Sequence, residues 1–176
     1  RAATGSLAGW ATLKYFGYEG FQAVLGGILE TNMYFRHLLA RRDDMVCANP
    51  YDYGLCTLFR VYPRDVDAKF QLERELNDRA ARRELMAHNR LTRRIGDLLW
   101  EWFRAGAQID GLHTPYLSFS TGFRVANYNR DARDPDAVVF ALKAFPMNVY
   151  IEPAHMKHVL RCVQVARDQV VRDGGY

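Results

Sequence analysis

Apolar side chains recur at three- and four-residue spacing over residues 19–42, at Phe21, Val24, Leu25, Ile28, Leu29, Phe35, Leu38 and Leu39, which predicts a long helix. A shorter helix precedes it at residues 7–16, with Ser6 placed to cap its start and Gly17 to stop it. Gly26 and Gly27 cost the longer helix about 1 kcal/mol each against alanine, which is tolerable where another backbone packs closely. Both helices are apolar enough to call for burial against a large neighbour.

From Met45 the period changes. Residues 45–48 and 54–62 read as strands, separated by the turn residues Asn49 and Pro50 and closed by Pro63. Residues 66–104 are charged and helical, with a break near Asn77 and Asp78. Leu91, Ile95, Leu98, Leu99 and Trp102 share one face of the later half, and Gly106 is placed to stop it. Residues 116–126 predict a strand, residues 127–136 a polar loop, and residues 137–145 an apolar strand broken only by Lys143. Pro153 opens a last helix reaching about Arg172, before Gly174 and Gly175. The order predicts an α+β layer domain, three or four strands with helices on one face, preceded by two helices that belong elsewhere.

Composition narrows the class. The 176 residues suit one domain, and 49% hydrophobic with 25% charged residues is a globular balance. Lys and Arg number 24 and Asp and Glu 20, a net charge of +4 that falls short of a nucleic-acid binder. The odd set Cys47, Cys56 and Cys162, without CxxC spacing, favours a reducing, cytoplasmic setting and no structural zinc. No apolar run is long enough for a membrane span, and no signal peptide is recognisable.

Few residues carry candidate chemistry. His155 and His158 stand three apart on a helix without a recognisable third metal ligand, so a solvated face is the expectation. Ser118, Ser120 and Thr121 lack a nucleophile-elbow motif, and no phosphate-cradling GxxxxGK loop is present. Arginines from Arg79 to Arg94 alternate with Glu73, Glu75, Glu84 and Asp97, the pattern of a salt-bridged solvent face, with an anion site as the other reading. Lys143 is the informative position. A cation within an apolar strand needs an anion or a wet cavity, unless the strand is an edge and the amine reaches solvent.

Three stretches, in order and spanning nearly the whole chain, resemble the C-terminal part of the group II pyridoxal-phosphate-dependent amino acid decarboxylases. Residues 1–21 are similar to that family's arginine-led helix, with Trp10, Leu13 and the Gly17-to-Gly20-Phe21 elbow. Leu55-Cys56-Thr57-Leu58-Phe59-Arg60 resembles a family strand. Leu142-Lys143-Ala144-Phe145-Pro146-Met147-Asn148 resembles the strand before the last helix, where many members carry arginine in place of Lys143.

The resemblance implies the small C-terminal domain of the aspartate aminotransferase-like enzymes (fold type I), at residues 44–176. Residues 1–43 would be linking helices that pack on an absent large cofactor-binding domain. It implies a homodimer, an amino acid substrate, and pyridoxal 5'-phosphate held by a lysine outside this chain, since none of the four lysines follows a histidine. This chain alone should then be inactive. Lys143 would face the substrate carboxylate, as a point charge rather than a bidentate fork. Arg1 and the backbone at Ala2 would approach the cofactor phosphate. The start at Arg1 falls where the family has a mobile loop, so a split at that loop is expected. The rival expectation is a non-catalytic helical module that binds an acidic partner through residues 74–94; a further one is another lyase of the same fold.

Overall fold

In the computed structural model the structure describes residues 4–50, 54–124, 137–148 and 150–174. The first two predicted helices are both present within α1 (Thr4–Ala40), as two helices that meet at a kink at Gly17, whose φ of 61° and ψ of −172° are helical for no residue. That region is open essentially to glycine alone, so the chain turns at the predicted stop and resumes its helix at once. Residues 5–19 are all exposed, Leu7, Trp10, Leu13 and Phe16 among them. Only the later part of α1 enters the core, through Ile28, Phe35 and Leu39.

Four strands make one antiparallel sheet: β1 (Met45–Cys47), β2 (Thr57–Val61), β5 (Ser118–Arg124) and β6 (Val138–Ala144), in the spatial order β1-β2-β6-β5. The predicted helical stretch divides into α2 (Ala68–Asn77), a 3₁₀ turn (Arg79–Ala81) and α3 (Arg82–Arg104). Asp67 caps α2 by accepting from the backbone N–H of Lys69 and Phe70. Asp78 makes the break: its N–H donates to the Arg74 carbonyl while its side chain accepts from Ala80. A short hairpin, β3 (Gln108–Ile109) with β4 (Leu112–His113), follows, turned by Asp110 and Gly111 at φ of 52° and 80°. The last helix is α4 (Pro153–Arg172), where Glu152 and His155 form a reciprocal capping box.

Strand alternation sorts the core onto two faces. Met45, Phe59, Val61, Leu142 and Ala144 meet α1, the later half of α3, and α4 in the larger cluster. Val139, Ala141 and Phe123 face the other way and pack with Tyr62, Leu72, Leu76 and Leu85 in a smaller one. The helices are therefore not confined to one face, because α2 takes part of the second. Gly96 lets α3 approach β5 closely: a Cβ there would stand 2.7 Å from the Phe119 ring.

Pairing of β2 with β6 extends only from Thr57–Ala144 to Phe59–Leu142. Beyond it the Asn89 side chain of α3 takes the place of a strand, donating to the Val138 carbonyl at 2.9 Å and accepting from the Phe140 N–H at 2.9 Å. Among the described residues no helix is long and apolar enough to cross a membrane.

Candidate functional site

Lys143 lies on β6, between β2 and β5, with Leu58 opposite on one side and Ser118 on the other. It does not sit on an edge strand. Alternation turns it to the face that α2 covers at the Arg60 end. At the Lys143 end, Leu58, Ser118, Ser120 and Lys143 are all half-buried. The amine rests 5.5 Å from the centre of the half-exposed Phe145 ring, a cation–π contact. Among the described residues it makes no ion pair. An ammonium in the middle of a sheet, flanked by hydroxyls and an aromatic ring and lacking a carboxylate among the described residues, is suited to receiving an anion from outside.

The other lysines have different surroundings. Lys14 lies over the Trp10 ring on the exposed first helix, Lys69 donates to the Ala40 carbonyl, and Lys157 is exposed on α4. Pyridoxal phosphate needs an enclosed lysine, a wall for its ring and donors for its phosphate. The described residues place no lysine in such an enclosure and do not form that cradle. Arg1 and Ala2 lie outside the described residues, as does the polar loop 127–136.

A buried polar network near the same face escaped the sequence reading. Arg60 and Glu75 are fully buried and paired at 3.1 Å. The Tyr62 hydroxyl donates to Glu75 at 3.2 Å, His88 contacts the same carboxylate, and Arg60 donates to the Leu85 carbonyl. Burial raises the Tyr62 hydroxyl well above its ordinary range, so it stays a donor. Arg60 Nε and Nη1 find no hydrogen-bond partner among the described residues, and the Tyr62 ring lies 5.3 Å from the guanidinium carbon. The network ties α2 and the start of α3 to the sheet. Its signal in the sequence was Arg60 itself, a charge inside an apolar strand.

A cavity of about 430 Å³ is lined by Arg41, Arg42, Arg64, Arg161 and Arg167 with Asp43 and Asp44. Several of these arginines are already engaged: Arg42 and Arg167 with Asp44, Arg64 with Asp168, Arg161 with Asp110. Burial alone would raise the Asp44 carboxyl, but the hydrogen bonds and charges of Arg42 and Arg167 outweigh it and hold the group at about 2.

His155 and His158 serve structure. His155 completes the α4 cap, and His158 bonds the His113 carbonyl at 3.1 Å. The His158 ring also lies 3.4 Å from Cys162 Sγ, yet burial, followed by the charge of Asp110, pushes that thiol up to about 11. A thiol so raised is no nucleophile at neutral pH. Among the described residues no group of three or more His, Cys, Asp or Glu could hold a metal ion.

No family model matches the chain, and no curated protein matches it significantly.

Proposed function

We propose that this chain is the capping C-terminal portion of a pyridoxal-phosphate-dependent amino acid decarboxylase, completing an active site whose cofactor another stretch of polypeptide carries. The observation that carries the reading is Lys143: a central-strand ammonium on the open half of a sheet face, with no carboxylate of its own among the described residues. The ordered resemblance of three stretches supports it, as do the apolar side chains that residues 5–19 leave exposed, which suit a large neighbouring domain.

Held by residues outside this chain, the cofactor would supply the electron sink that decarboxylation needs. This chain's part is positioning. Lys143 attracts the substrate carboxylate, Ser118 stands opposite it on β5 as a further donor, and the Phe145 ring holds the amine by a cation–π contact. A lysine grips through charge alone, so the carboxylate keeps rotational freedom that a guanidinium fork would remove.

Isolated together with its upstream portion, the protein is expected to be yellow, absorbing near ~420 nm through its bound cofactor. Lys143→Met should then lower kcat/KM about tenfold to a hundredfold without bleaching that band, and Lys143→Arg should restore it at least in part. An unchanged kcat/KM in Lys143→Met removes the carboxylate role. A colourless preparation with no upstream polypeptide removes the decarboxylase reading altogether.

A further inference from the structure

The sequence interleaves arginines and acids along residues 74–94, which predicts mutual neutralisation. Folding neutralises only some of them. Glu75 turns inward to the buried Arg60, and Glu84 is taken by Arg74 and Gln71. Arg83, Arg90 and Arg94 of α3 stay exposed and make no ion pair among the described residues; Arg93 has only Asp97, at 3.8 Å.

Seven positions of α3 fall on one rhythm, with the exposed Arg94, Glu101 and Phe103 beside it. Arg83, Met86, Arg90 and Arg93 are three, four and three residues apart, and the same rhythm passes through Asp97 to Trp100 and Arg104. Alternating steps of three and four keep side chains on the single stripe that one helix presents to another. At 1.5 Å per residue this stripe runs roughly 30 Å. Met86 and Trp100 are 56% and 42% exposed; the Trp100 ring packs on Phe103 and Tyr116, and the Arg104 guanidinium lies over it.

We infer that the outer stripe of α3 docks an acidic helix of a partner protein, with carboxylates facing Arg83, Arg90 and Arg93 and apolar side chains facing Met86 and Trp100. Charge complementarity names the sign of the partner. The rhythm names its form: a helix carries carboxylates and apolar groups at the same rise as α3, whereas a phosphate backbone has nothing to set against Met86. The inference is independent of the decarboxylase reading and needs no cofactor.

The test uses the intact chain and three fluorescein-labelled probes. One is a helical peptide of about 25 residues with Glu and Leu in the matching three-four rhythm. The second has the same composition with the rhythm scrambled, and the third is an oligouridylate of equal charge. The matched peptide is expected to bind about tenfold more tightly than either of the others. Arg83→Glu with Arg90→Glu, both exposed and so expected to leave the far-ultraviolet circular dichroism spectrum unchanged, should lose about tenfold in affinity. Replacing the facing Glu residues of the peptide by Lys should restore binding to that variant. Equal binding of matched and scrambled peptides, tighter binding of the oligouridylate, or no binding of the matched peptide overturns the inference.

Discussion

Asp44 shows how far one side chain is shaped by its surroundings. Its carboxyl lies at about 2, against an ordinary 3.8, because two arginines outweigh its burial. A carboxyl lowered on folding contributes stability that is fully present above the unfolded value and is lost as pH falls through the folded one. That contribution, about 2 kcal/mol, should fade between pH ~4 and ~2. Asp44→Asn is expected to lower stability at pH 7 and to flatten this acid limb, as read from urea midpoints across the pH range. Glu75 is the harsher case. Glu75→Ala leaves Arg60 charged, buried and without its carboxylate, at an expected cost of about 3–5 kcal/mol. Arg60→Met combined with Glu75→Leu should cost much less, because no charge is then stranded; thermal melts of the two variants distinguish them.

Among the elements, α3 is placed by one missing side chain. Gly96→Ala would drive a methyl to 2.7 Å from the Phe119 ring, so the ring, α3 or β5 must shift. The expected loss is about 1–3 kcal/mol by chemical denaturation. Most elements were legible in the sequence because each carries a local cause. Gly17 stops the first helix, Asp78 breaks the charged one and Pro153 opens the last. The β3–β4 hairpin was missed although Asp110-Gly111 marks such a turn, because two-residue strands carry too short an alternation to detect. The split between neutralised and unpaired arginines was also illegible. It depends on Glu75 finding Arg60, 15 positions earlier in the chain, and no helical spacing encodes that meeting. Lys143 stood out from the sequence as a charge in an apolar strand, but only the pairing order placed it inside the sheet.

At the scale of the whole molecule, residues 5–16 bury no side chain, so they add nothing to the core. Deleting residues 1–16 should leave Tm within about 2 °C while removing the apolar stripe of Leu7, Trp10 and Leu13. A fall of many degrees would mean that the stripe packs on its own chain in solution. The sheet, by contrast, depends at one seam on a side chain: beyond the β2 pairing, the Asn89 carboxamide alone meets the Val138 carbonyl and the Phe140 N–H among the described residues. Aspartate at position 89 would have no N–H to offer Val138, leucine would offer nothing to either backbone group, and glutamine would reach too far. A substitution here strands two backbone groups of an interior strand, so its cost falls on the middle of the sheet rather than on an edge.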